Sequence, residues 1–199
     1  MAKKQGFAVT AFDAREIVER GKISSELEME RAIQSERLLR LMSKDQPELE
    51  PLRKEIRDMV IQYESEHWSD ADLVTDAQVH ESDLAEKQVD KERLFFRKRK
   101  SLIIKHLKQN GLNQNDLSAI LAHSKSYTSE LLNGIRSFSM NDLIIIHKLF
   151  KIKLEDLIFT EITPDVELRI RETFEKAAEN TSKSKKPAQV TSLMKALYS

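Results

Sequence analysis

An all-α fold is predicted by three features of this chain. Only four of its 199 residues are Gly and four are Pro, and Leu, Ile, Glu, Lys and Arg are abundant, a composition of helix formers with few turn residues. Apolar residues recur at spacings of three and four over most of the length, the period of a helix with one buried face. There is no Cys, which excludes a disulfide framework and thiol chemistry. The length suits one large domain or two small ones. Residues Met1 to Thr10 carry Lys3 and Lys4 but no apolar run long enough for a signal peptide, and no stretch approaches the roughly 20 apolar residues of a membrane span. A cytoplasmic protein with no membrane contact is expected.

Residues 1–23 show no sustained period and read as an arm with no assigned docking place. Ser25, followed three residues later by Glu28, resembles a capping box, and Met29, Ile33, Leu38, Leu39 and Met42 give the helix after it a broad apolar face. Pro47 breaks that helix. Leu49, Leu52, Ile56, Met59, Tyr63 and His67 then recur as the seam of a short coiled coil, and so brief a connection makes the pair an antiparallel hairpin over 24–68. Each stripe must be buried on its mate or on a second chain. Residues 69–90 are acidic with apolar positions too sparse for a stripe, and read as a linker or a poorly packed helix.

Five helices are predicted in 91–160. The first contains Leu94, Phe95, Leu102, Ile103 and Leu107 and stops at Gly111, where a left-handed residue is wanted. Gln114 to about Leu121, Ser124 to about Asn133 and Met140 to about Phe150 follow, then a compact turn from Leu154 to Phe159. In 161–199, Thr163 and Pro164 start a charged helix that runs to about Asn180. Thr181 to Pro187 reads as a disordered basic linker. Val190, Leu193, Met194 and Leu197 form an amphipathic hook.

The zero net charge conceals a segregation. From Ser24 to Asp90 there are eighteen acidic and eight basic residues, a net −10, whereas Lys91 to Arg136 carries ten basic and three acidic ones, a net +7. Asymmetry of this kind suggests a polyanion-binding module joined to an acidic one. Its plainer reading is a long helical protein with solvated faces.

The segment Leu112 to Gly134 has the spacing of a helix-turn-helix, in which Leu117 must meet Leu121, Thr128 and Leu131 across a sharp turn. It resembles the lambda-repressor and Cro class, also called XRE, on Gln114, Leu117, Ser118, Leu121 and Gly134. The likeness extends through SFSMNDLIIIHKLFKIKLEDLIF and implies a five-helix Cro/repressor-like DNA-binding domain, which follows the N-terminal helical hairpin and precedes the C-terminal helix with its tail. Two departures stand out: Ala122 replaces the usual turn glycine and Thr128 the usual Ile or Val. The resemblance implies a recognition helix starting at Ser124, whose outward face shows Ser124, Lys125, Ser126, Ser129 and Glu130, with Gln114 opening the helix before it. Lys125 can donate to guanine O6 and N7, and Glu130 can accept from cytosine N4. Tyr127 lies on the flank, while Arg97, Lys98, Arg99, Lys100 and Arg136 would hold phosphates without reading sequence.

The stretch SKSYTSELLNGIRSFS is similar to the helix-turn-helix of HigA-type antitoxins, and ERAIQSERLLRLMSKDQPELEPLRKEIRDMVIQYESEHW resembles their N-terminal helix pair. That family resemblance implies a homodimeric repressor of its own operon that binds double-stranded operator DNA and neutralises a cognate RNase toxin. The −10 segment is the surface suited to a basic toxin, with the hook as its rival. Alternatives are a stand-alone XRE-type regulator and a protein-binding adaptor. No enzyme, metal or cofactor is expected: His67, His80, His106, His123 and His147 are scattered, and four glycines build no phosphate loop. Tyr63 and Trp68 are either partner anchors or core.

Overall fold

The structure, a computed structural model, describes residues 13–180. Those residues contain eight α-helices and no strand, with two single-turn 3-10 segments, Pro47–Leu49 and Leu154–Asp156. They divide into one compact unit ending at Thr160 and a second beginning at Glu161. The sequence expectations for residues 1–12, for the linker at 181–187 and for the hook at 190–197 lie outside the described residues.

The end of the expected arm is a helix. Asp13 caps α1 (Ala14–Arg20) by accepting from the Arg15 N–H at 2.8 Å, and Gly21 ends it at φ 74°. Ala14 and Ile17 are buried. The docking that the sequence did not assign is therefore against the hairpin, through its second helix, Glu50–His67.

Ser25 opens α2 (Glu26–Met42) by accepting from Glu28 N–H, but Glu28 turns its carboxylate to Ser24 and Arg20 instead of completing the box. The chain reverses through the 3-10 turn at Pro47 into α3 (Glu50–His67). Leu39, Leu49 and Ile56 are at most 1% exposed, so the seam is closed within one chain and needs no partner. Burial of each such side chain contributes about 2 kcal/mol. The hairpin's open end is pinned by a carboxylate: Tyr63 Oη and Trp68 Nε1 both donate to Glu26 Oε1, at 2.9 and 3.1 Å. Burial and that carboxylate push the Tyr63 hydroxyl well above its usual pKa. Both aromatics thus serve the fold.

The acidic stretch at 69–90 departs from expectation. After a turn, Thr75 caps α4, which runs unbroken from Asp76–Gln109, about 50 Å at 1.5 Å per residue. Its first half is neither linker nor poorly packed, because Ala85, Gln88, Val89 and Glu92 are buried, on the helix that α2 packs along. The stripe was unreadable as apolar because two of its four members are polar. Glu92 receives both arms of Arg31 from α2, at 2.6 and 2.9 Å, and the Gln88 amide at 3.2 Å.

The second half of α4 packs with α5 (Gln114–Ile120), α6 (Lys125–Asn133), α7 (Met140–Phe150) and the turn at Leu154 around Ile103, Leu107, Leu117, Leu131, Ile146 and Leu157. Asn113 with Asp116, and Ser139 with Asp142, form complete capping boxes at α5 and α7. In the second unit, α8 spans Pro164–Asn180 as expected. No helix among the described residues is long and apolar enough to cross a membrane.

Two substitutions test this packing. Ile56→Asp places an unpaired charge where nothing can solvate it and should lower stability by about 3–5 kcal/mol in urea unfolding; a loss below about 1 kcal/mol would mean the seam is open to water. Ala122, at φ 56°, occupies a conformation that costs an L-residue about 1 kcal/mol. Ala122→Gly should therefore raise the unfolding midpoint, and a lowered one would contradict the assigned turn.

Candidate nucleic-acid interface

The pair α5 and α6 is set by its core and its turn. Leu117, Leu121 and Leu131 are buried together, and His123 N–H reaches back to the Ser118 carbonyl at 2.9 Å, which folds the chain sharply between the helices. Ala122 sits in the left-handed region there, as its place in the sequence pattern requires. Ser124 Oγ caps α6 by accepting from Tyr127 N–H at 3.1 Å. Thr128, fully buried, keeps its hydroxyl satisfied by donating to the Ser124 carbonyl at 3.1 Å, so a polar residue in this core carries no unmet group. Gly134 ends α6 at φ 79°, and a Cβ there would lie 2.8 Å from the Phe96 ring. No other residue fits that site without moving the aromatic.

The side chains expected on the outward face of α6 divide into two groups. Ser124 and Lys125 are exposed, Gln114, Ser126 and Tyr127 are half-buried, and Ser129 and Glu130 are buried. The burial of the last two corrects the expectation that they face outward. Their cover is the hairpin's turn and α1. Gln46 Nε2 donates to Ser129 Oγ at 3.0 Å, Ser126 Oγ donates to Gln46 Oε1 at 3.3 Å, and Glu48 Oε1 lies 3.4 Å from the same hydroxyl.

Glu130 is the hub of this contact. Arg15 of α1 reaches it with two bonds, at 3.0 and 3.1 Å, and Arg136 donates to it at 2.8 Å. Burial opposes ionisation of Glu130, but the bonds from the two guanidinium groups and their charges outweigh it and hold the carboxyl below its ordinary pKa. The Glu130 hydrogen bond, working against desolvation, likewise raises Arg15. Arg136, expected on phosphate, is spent here: it also lies 3.7 Å from Asp13 and its guanidinium is 4.8 Å from the Tyr127 ring centre. Beside it Ile135, fully buried, joins the hairpin's apolar core, and its carbonyl accepts from Ala14 N–H at 3.0 Å.

The basic run Arg97 to Lys100 does not form one surface, because successive residues of a helix point about 100° apart. Lys98 pairs with Asp156 at 2.8 Å. Lys100 donates to Asn133 Oδ1 at 2.8 Å. Arg99 is buried between the Phe96 and Phe138 rings, 4.8 and 4.9 Å from their centres, and donates to the Leu157 carbonyl at 3.3 Å. Desolvation lowers its pKa to about 10, so it stays cationic at neutral pH without a carboxylate among the described residues, and it is removed from any phosphate contact. Arg97 alone of the four is exposed and unpaired among the described residues.

Sequence reasoning missed Arg15, Gln46, Glu48 and Ile135. A signal existed for two of them: Asp13 with Glu16 has capping spacing that would have started a helix at Ala14, and Ile135 is an apolar residue in an otherwise polar loop. No family model, curated protein or solved structure matches the chain.

The pairing of Glu130 makes a pH-dependent prediction. Because its folded-state pKa lies below the ordinary 4.5, the stabilisation it supplies is complete above that pH and is lost as pH falls through the lower folded value. Glu130→Gln should cost about 2 kcal/mol at pH 7, and the gap between variant and parent should narrow steadily below pH 4.5 in denaturant titrations. A gap that is constant from pH 7 to pH 3 would show that the cluster does not hold the carboxyl below its ordinary pKa.

Proposed function

We propose that the chain is a sequence-specific DNA-binding repressor with a Cro/repressor-like helix-turn-helix, acting in the manner of a HigA-type antitoxin: it occupies operator DNA through α6 and neutralises a basic RNase toxin through its acidic helical module. One observation carries the DNA half of this reading, namely that α5, a sharp turn and α6 present the N-terminus of α6 with Ser124 and Lys125 exposed on it. A cation at a helix N-terminus is unfavourable for the helix itself, and a duplex groove is an environment in which it gains. Two copies on adjacent major grooves would add their contacts, and Met140 and Ile144, both exposed on α7, offer apolar positions for pairing. For the toxin, the exposed carboxylates of α3 and early α4 include Glu55, Asp58, Glu64 and Glu66, a surface that favours a basic partner by long-range attraction.

The covered face of α6 shapes how DNA would be read. With Gln46 and Glu48 against Ser126 and Ser129, a groove meets Lys125 first and meets the remainder only when the hairpin's turn lifts. Duplex and hairpin thus compete for one face. The same observation favours a second reading, a protein-binding adaptor in which the turn stays closed and DNA is not engaged.

Fluorescence anisotropy with duplexes from upstream of the gene separates the two. Lys125→Ala should relax discrimination at one base position by about 1–3 kcal/mol. Gln46→Ala combined with Glu48→Gln should tighten binding several-fold by weakening the cover and removing an acid from the approach. Absence of salt-dependent duplex binding in the parent and in both variants would leave the adaptor.

A further inference from the structure

A cavity of about 280 Å³ opens between α2, α4 and the end of α6. Its volume is near the lower limit for small-molecule sites, and its lining has two chemistries. Leu38, Val89, Phe96 and Leu132 supply apolar surface. Arg31, Arg93, Arg97 and Lys100 supply cationic groups, against Glu92 as the one carboxylate of the lining.

The charges are not all answered. Arg31 is bound by Glu92 through two bonds, and Arg93 pairs with Asp90 at 3.0 Å. Arg97 has no ion pair among the described residues, and Lys100 is held only by the neutral oxygen of Asn133. These two stand three residues apart on α4, where side chains are neighbours and like charges repel. A dianion between them would relieve that repulsion. The carbonyl end of α6 lies at the same cavity and disfavours an anion; the Leu131 and Glu130 carbonyls accept from Gly134 and Ile135 N–H, which offsets part of that effect.

We propose that this cavity is a binding site for a small phosphate monoester with a flat apolar body, its phosphate between Arg97 and Lys100 and its ring against Leu38, Val89 and Phe96. A carboxylate would leave one of the two cations unmatched. The fork of Arg97 gives a phosphate two parallel donors, and Lys100 gives it a point charge once it turns from Asn133. The volume suits a single ring. Nothing in this site requires that α6 read DNA.

Calorimetric titration of the full-length protein tests the proposal, with phenyl phosphate, inorganic phosphate and a short DNA duplex as separate probes. Phenyl phosphate should bind at one site and about tenfold more tightly than inorganic phosphate, the gain expected from burying the ring. Arg97→Gln and Lys100→Gln, each at the cavity's rim, should each weaken phenyl phosphate about tenfold while the thermal midpoint stays unchanged. Equal binding of the two phosphates would overturn the proposal, because it would reduce the site to diffuse surface charge. So would retention of phenyl phosphate affinity in both variants, or a loss in them confined to the duplex, which would make these cations a backbone contact for DNA.

Discussion

The arrangement of the larger unit depends on one buried carboxylate. Glu130, 3% exposed, sits midway along α6 and is bound by Arg15 from α1 and Arg136 from the loop after α6. Removing either cation leaves a charge under-solvated in the interior, a far larger penalty than the net gain of an exposed ion pair. Glu130 therefore ties α1, 115 positions away, to α6 and to the loop that follows it. Ile135 adds the apolar counterpart, since it leaves the core beneath α6 and enters the core of the hairpin. Around this pair of contacts the two cores become one unit, and α4 runs the length of both.

Such a junction places α6 between two demands. Its inner face, with Thr128, Leu131 and Leu132, packs into the core that α4, α5 and α7 share. Much of its opposite face is held by α1 and by the hairpin's turn, which leaves the helix's N-terminus as its open part. A polar cover of this kind is adjustable. Gln46, Ser126 and Ser129 exchange hydrogen bonds that water can replace at small net cost, whereas the Glu130 cluster and Ile135 cannot be exposed cheaply.

Much of the fold was legible because helix signals are local. The hairpin seam, the break at Pro47, the helix ends at Gly111 and Gly134 and the turn at Ala122 are all written in spacing and in backbone preference. Early α4 was not legible, because Gln88 and Glu92 are buried by pairing with each other and with Arg31, and a stripe of satisfied polar residues has no apolar period. The candidate site was legible only as a motif. Lys125 stands where the pattern puts it, but Ser129, Glu130 and Arg99 look like surface residues in the sequence and are buried by partners up to 115 positions away. Periodicity carries no information at that range.

The hairpin's turn lies on the face of α6 that the proposed duplex contact needs, and the absence of native cysteine makes that placement measurable. With Gln46→Cys and Ser129→Cys as the only thiols, a short bifunctional thiol reagent should join them within single chains in high yield, and the cross-linked protein should lose duplex affinity that returns when a cleavable link is cut. Failure of the two thiols to react together would place the turn away from α6, and a cross-linked protein that binds the duplex as well as the open one would show that the covered face is not the one DNA uses.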